Sequence, residues 1–258
     1  MQHHSHKKEM IPVKSISTFG KYLILMYRVL ARPDSLKMFF RQFMREIYQL
    51  GVNSIPIVLL ISFFIGAVIC IQMKLNIESA WMPKFTVGYA TREILILEFS
   101  STMMCLILSG KVGSNITSEI GTMRVTQQID AMEIMGVNSA NFLIFPKIAA
   151  LITAIPTLVI FSMGAGIAGA YAIGLFTGIM IPADLTTGLQ YEFSQWYVWC
   201  SIIKSLFFAF IISSVASFYG YNVEGGSVEV GKASTDSVVS CSVLILFADI
   251  ILTQLLMQ

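Results

Sequence analysis

Histidine is confined to His3, His4 and His6 and is absent from the rest of this 258-residue chain. That absence removes the base on which Ser/His and Cys/His nucleophilic chemistry depends. An intramembrane aspartyl dyad needs two aspartates at similar depth on facing spans, and only Asp249 is deep. No enzymatic activity is expected. The three tail histidines lie in a polar, tag-like stretch, and no metal site is expected of them. Charge is scarce too: Asp, Glu, Lys and Arg make up 12% of the chain, against roughly 25% in soluble domains. The four cysteines, Cys70, Cys105, Cys200 and Cys241, sit inside or at the edge of apolar runs without metal-ligand spacing. They read as packed free thiols rather than a disulfide framework.

What fills the chain instead is apolar residues, 55% of the total, with a mean hydropathy of +0.74. Stretches such as Ile55 to Ile71 and Val238 to Leu246 are uninterrupted and do not alternate, which selects membrane-spanning helices over a barrel. Five spans are predicted, at about 52–73, 92–110, 142–181, 196–220 and 236–257. Nine of the 17 Lys+Arg residues (Lys7, Lys8, Lys14, Lys21, Arg28, Arg32, Lys37, Arg41 and Arg45) precede the first span. The positive-inside rule therefore puts the N-terminus in the cytoplasm and, with five crossings, the C-terminus outside. The first strong apolar run begins only near Val52, so the first span is expected to act as its own signal-anchor.

The run from Phe142 to Ile181 permits one long tilted helix or two short ones turned near Gly164–Gly166. Topology arbitrates. Pro182 to Gln195 contains no Lys or Arg and belongs outside, which requires a single crossing. Within it Gly166, Ala170, Gly174 and Gly178 recur every four residues, a small-residue stripe suited to close packing on a helix of the same subunit or, less favoured, of a second copy.

Two polar segments read as helices. After the start signal Pro33-Asp34, residues to Leu50 place Leu36, Phe40, Phe43, Ile47 and Leu50 on one stripe beside Lys37, Arg41 and Arg45, an amphipathic helix for the cytoplasmic interface or for docking on the spans. The outer loop after span one carries Trp81 and Tyr89 as interface anchors. Between spans two and three, Ile116, Ile120 and Met123 share a face. The phase then slips and resumes at Val125, Ile129 and Met132, so two short helices meet near Arg124. Thr126 is expected to cap the second and Gly136 to stop it.

Glu98, Lys204 and Asp249 are ionisable residues inside spans, where charge is costly and functional by default. They lie 12, 16 and 13 residues from Gly110, Gly220 and Asp236, or about 18 to 24 Å at the rise of an α-helix. Opposite charges at matching depth can pair, either around a wet cavity or as a pin between spans two, four and five. Gly225 to Ser234 approaches the phosphate-cradling pattern G-x-x-x-x-G-K-[ST], but Ala233 replaces the needed hydroxyl and a membrane helix replaces the strand. A tight glycine-rich cytoplasmic turn is expected there.

The block Gly110-Lys-Val-Gly-Ser-Asn-Ile-Thr-Ser-Glu-Ile-Gly-Thr-Met-Arg-Val-Thr-Gln-Gln-Ile-Asp-Ala-Met-Glu-Ile-Met-Gly136 closely resembles the signature of MlaE/YrbE-type permeases. These are membrane subunits of ABC transporters that work with MCE-domain proteins. Similarity extends from about Phe19 to the C-terminus and includes the basic interfacial helix, the loop from Gly225 to Thr235, Lys204 and Asp249. The resemblance implies an all-α inner-membrane protein: a basic N-terminal segment at 1–51, then a permease domain at 52–258 with a cytoplasmic coupling region at 111–141. It also implies a homodimer moving phospholipid between the inner membrane and a periplasmic MCE protein. A separate cytoplasmic ABC ATPase would supply energy, with a small cytoplasmic STAS-type subunit as a further partner. No cofactor and no nucleic-acid partner is expected.

The family's coupling element matches Ser118 to Met135, which nominates Glu119, Met123, Arg124, Gln128, Asp130 and Glu133 for the ATPase contact. Glu98, Lys204 and Asp249 are nominated for the substrate path, lined by spans one, two and five. The family commonly carries an Arg-Glu pair followed by Gly-Pro in the second span, whereas this chain reads Leu97, Glu98, Phe99, Ser100, Ser101. Lys204 is therefore expected to partner Glu98. Two rivals remain: a proton-coupled secondary transporter using the same three residues, against which the lack of an inverted repeat counts, and a passive scaffold for an MCE protein.

Overall fold

The computed structural model describes residues 11–30, 36–77, 83–177 and 182–257. The tail histidines, Lys7, Lys8, Arg32, the Pro33-Asp34 start signal, Trp81 and Gly178 lie outside the described residues. Among the described residues all regular structure is helical: α1 Ile11–Val29, α2 Lys37–Ile77, α3 Thr86–Val125, α4 Gln128–Ile134, α5 Ser139–Thr177, α6 Pro182–Gln190, α7 Gln195–Tyr221 and α8 Ser227–Met257. Five of them, α2, α3, α5, α7 and α8, are long and apolar enough to cross a membrane. The chain is an all-α integral membrane protein.

The first differences from the sequence-based expectation concern helix continuity. The amphipathic segment and span one form a single helix, α2, joined through a wide π turn at Ile47–Gly51 and a tight 3₁₀ turn at Val52–Ser54. Pro56 explains the irregularity, because its ring would collide with the carbonyl of Val52 in a regular helix. Likewise α3 carries span two straight into the first coupling helix, through π segments at Leu95–Met103 and Ser109–Gly113. Of the stretch expected at 142–181, the described residues, to Thr177, form one helix despite Pro146 and Pro156 inside it.

Three helical extents were not anticipated. The basic N-terminal segment contains α1, whose stripe Tyr22, Leu25, Met26 and Val29 has helical spacing. Leu25 and Val29 are buried in the core, Tyr22 donates to Ser214 Oγ at 3.0 Å, and the Asn138 and Asn141 amides donate to the carbonyls of Arg28 and Val29, closing the end of α1. The connection expected to be loop contains α6. The Gly225–Ser234 stretch is mostly the start of α8, which begins at Ser227 rather than Asp236. There Gly225 takes φ +118, and the Gly226 N–H donates to the Glu229 carboxylate at 3.0 Å, satisfying one of the donors a helix start leaves free.

Helices α2 and α5 cross at contact distance. A Cβ on Gly66 would fall on the carbonyl of Gly166, and one on Gly169 would fall on that of Phe63. Ser62 and Ser162 hydrogen-bond at the same crossing, 2.8 Å apart. The expected stripe thus packs within the subunit: Gly166 at the crossing, Ala170 fully buried, and Gly174 facing Leu185 of α6. Gly169, off that stripe, makes one of the tightest approaches. All four cysteines are buried free thiols.

Candidate functional site

Glu98, Lys204 and Asp249 come from three different helices, α3, α7 and α8, and the structure brings them together. Lys204 Nζ lies 3.2 Å from Glu98 Oε1 and 3.0 Å from Asp249 Oδ1, and Thr102 donates to Asp249 Oδ1 at 2.9 Å. The lysine side chain is 2% exposed, Asp249 15% and Glu98 47%. The cation is therefore enclosed while one carboxylate opens outward. Glu98 and Thr102 are four apart, a spacing that a π segment of about 4.4 residues per turn keeps on one face. Ser100 and Ser201 are fully buried in the facing helices, and their hydroxyls have no hydrogen-bond partner among the described residues.

A second charge cluster sits where α3 passes into the polar insert. Lys147 on α5 binds Glu46 at 2.8 Å and Glu119 at 2.7 Å, with the lysine 3% and Glu46 6% exposed. Glu119, nominated for the ATPase contact, is 27% exposed and through Lys147 ties α3 to α5 and α2. Sequence reasoning missed Glu46 and Lys147. Their signal was a lone lysine inside the apolar run Phe142 to Leu151 and a glutamate ending the basic stripe.

The remaining nominated residues surround the junction of α3 and α4. Gln127 takes φ 60, left-handed, and breaks the two helices apart. Thr126 does not cap α4: its hydroxyl donates back to the Thr122 carbonyl at 2.8 Å and so closes α3. Gly136 stops α4 at φ +78, with its N–H on the Glu133 carbonyl and the Val137 N–H on that of Met132. Arg124 binds Asp130 at 2.6 Å across the break and lies over the Tyr221 ring, 5.9 Å from its centre. Gln128 is exposed and donates to Thr126, while Met123 packs half-buried on the core. Glu133 accepts from Tyr221 at 2.9 Å and Ser139 at 3.0 Å. Ile134 and Met135 are 87% and 71% exposed at the tip. The apolar periodicity pointed only to the opposite face, although two off-stripe apolar residues side by side in a polar insert were a visible sign.

The hydroxyls of Tyr221 and then Ser139, with Arg124 and Arg28 nearby, hold the Glu133 carboxyl below its ordinary 4.5. A depressed carboxylate contributes stability that is present above its unfolded pKa and lost as pH falls through the folded one. Amide protection of α4 is therefore expected to persist below pH 4.5 and then fall. Glu133→Gln is expected to lower protection at neutral pH and abolish that acid step, as read by hydrogen exchange at several pH values. Equal protection in the variant would remove Glu133 as the group that docks α4.

At the opposite end Arg92, 2% exposed, binds Glu93 at 2.6 Å and donates to the carbonyls of Leu189 and Tyr191. It lies over the rings of Tyr89 and Phe193, at 5.0 and 5.6 Å. Tyr89 thus belongs to this clasp between α3 and the α6–α7 connection.

Five membrane helices, a paired charge triad inside them and a broken helix pair at one end define a multi-pass membrane protein with a polar intramembrane site. The family model for Permease MlaE matches residues 43–255. The chain belongs to that family. It is similar to a probable ABC transporter permease of Rickettsia bellii, with 31% identity over 94% of this chain and 92% of the relative. It is also similar to the probable ABC transporter permease ycf63 of Pyropia yezoensis, 32% identical over 95% and 93%. The intermembrane phospholipid transport system permease MlaE of Haemophilus influenzae is 28% identical over 95% and 98%. The chain is accordingly a permease of the ABC-transporter class.

Proposed function

We propose that the chain is the inner-membrane permease subunit of a transporter that moves phospholipid to or from a periplasmic MCE-domain protein, as a homodimer driven by a separate cytoplasmic ABC ATPase. A small STAS-type subunit would complete the cytoplasmic side. The N-terminus and the α3–α4 junction face the cytoplasm, in keeping with the basic residues before span one. The permease unit corresponds to 52–258 and its coupling region to 111–141, with α1 and the start of α2 as an interfacial collar. Glu98, Lys204 and Asp249 border the lipid path. Glu119, Met123, Arg124, Gln128, Asp130 and Glu133, joined by exposed Ile134 and Met135, form or shape the ATPase contact, and Glu119 also braces α3 through Lys147.

The observation that carries this reading is that α3 is unbroken from Glu98 to Arg124, roughly 40 Å at the rise of a helix. Force applied at the α3–α4 junction reaches the triad along one rod, so rotation of the junction becomes movement beside the path. Helix α8 supports the dimer: only 11% of its most apolar stretch is buried in the protomer, against 39% or more for the other four spans. The name of the Haemophilus relative supports phospholipid as cargo.

Charge reversal at Arg124 together with Glu133→Lys breaks the Arg124–Asp130 ion pair and the hydrogen bonds of Tyr221 and Ser139 to Glu133 without touching the triad. ATPase co-purification and ATP-dependent lipid transfer into acceptor MCE protein are both expected to fall at least tenfold, a loss of about 1.4 kcal/mol of coupling or more. Unchanged association would sink the coupling assignment. Transfer that persists without ATPase and collapses with the proton gradient would instead assign a secondary transporter.

A further inference from the structure

The charge count of the intramembrane triad bears on what it can hold. Glu98 and Asp249 carry two negative charges against the single positive charge of Lys204, for a net −1. Lys204 is enclosed and its ammonium is already placed on both carboxylates, so it offers an incoming molecule little. What faces outward is the half-exposed Glu98 carboxylate. Asp249 is held additionally by Thr102, which leaves Glu98 the less restrained of the two acids, with one oxygen on the lysine and the rest of its acceptor capacity open.

An anion approaching this site meets a carboxylate before it meets any cation. In a medium of low dielectric that encounter is repulsive and is not masked by salt. A group with N–H donors and positive charge meets the reverse: it neutralises the surplus charge and donates charge-assisted hydrogen bonds to Glu98. The unpaired Ser201 hydroxyl, buried one turn before Lys204 on α7, is an independent sign that this part of the bundle has more polar capacity than its own residues use.

We infer that the Glu98 side of the triad is a recognition site for the primary ammonium of a zwitterionic lipid headgroup, phosphatidylethanolamine in type, and that it disfavours lipids of net negative charge. This rests on the lipid-path reading above and narrows its substrate. Leu97, beside Glu98, is apolar and supplies no counter-cation to reverse the preference.

The test uses the full complex in nanodiscs of equimolar phosphatidylethanolamine, phosphatidylcholine and phosphatidylglycerol, with retained lipid read by native mass spectrometry. The wild type is expected to retain the ethanolamine lipid about tenfold over the glycerol lipid, with choline, which lacks N–H donors, between them. Glu98→Gln should abolish the preference while Lys204 keeps Asp249 as partner, and Glu98→Asp should restore part of it. Equal retention of all three lipids by the wild type, or an unchanged preference in Glu98→Gln, overturns the inference. Transfer assays on the same samples separate the two claims: preference without ATP-driven transfer defeats the transport reading alone, and transfer without preference defeats this inference alone.

Discussion

Lys147→Ala is expected to destabilise the protein by about 3–5 kcal/mol, the cost of leaving buried charge without its counter-ion. Glu46 and Glu119 would then confront one another without the ammonium now 2.8 and 2.7 Å away. Glu46 already has one buried oxygen, Oε2, without a hydrogen-bond partner among the described residues, so the site has no slack to absorb the loss. In thermal unfolding followed by gel filtration the midpoint should drop by roughly 10 °C. The rescue distinguishes stranded charge from the loss of the pairs themselves. Combining Lys147→Met with Glu46→Gln and Glu119→Gln removes every ion, and should recover most of the loss, because the cost of removing one partner lies largely in the charge it leaves unpaired. A triple variant as unstable as the single one would show that the ion pairs themselves, rather than relief of stranded charge, hold α2, α3 and α5 together.

Gly169→Val is expected to have the other large effect. The carbonyl of Phe63 occupies the place a side chain would take, and backbone on both sides leaves no flexible group to yield. The helices must separate, losing the Ser62–Ser162 hydrogen bond and the dispersion contacts of the crossing. Overpacking of this kind costs about 1–3 kcal/mol and sometimes more. Reduced yield of folded protein and loss of the disulfide that Ser62→Cys with Ser162→Cys would otherwise form are the measurements. Gly164→Val, where a Cβ meets nothing within 4 Å, serves as the neutral control, and equal damage from both would refute the close crossing.

Much of the site was legible before the fold. Depth along an apolar run depends only on position, so counting residues placed Glu98, Lys204 and Asp249 at one level, and the departure from the resembling family's Arg-Glu pair pointed to Lys204 as the partner of Glu98. Gly136 as a stop followed from its freedom at positive φ, and the helix break near Arg124 from the slip in apolar phase. Pairings among the other charges were not legible. Glu119 and Glu133 look alike in sequence, yet one faces a buried lysine and the other a tyrosine at the surface.

The reason lies in rotation. Each π turn in α2 and α3 resets the angular phase of the residues C-terminal to it, so periodicity on one side of the turn does not say which way residues point on the other. Sequence alone determined that five apolar helices cross the membrane, that charge lies at three matched depths within them, and that a polar helical insert separates spans two and three, because composition and spacing act locally along the chain. Tertiary structure decided that α1 packs on the bundle, that α3 is a single rod, that Glu119 pairs with Lys147 and that Glu98 alone of the triad opens outward, because each depends on which helices become neighbours and at what rotation they meet.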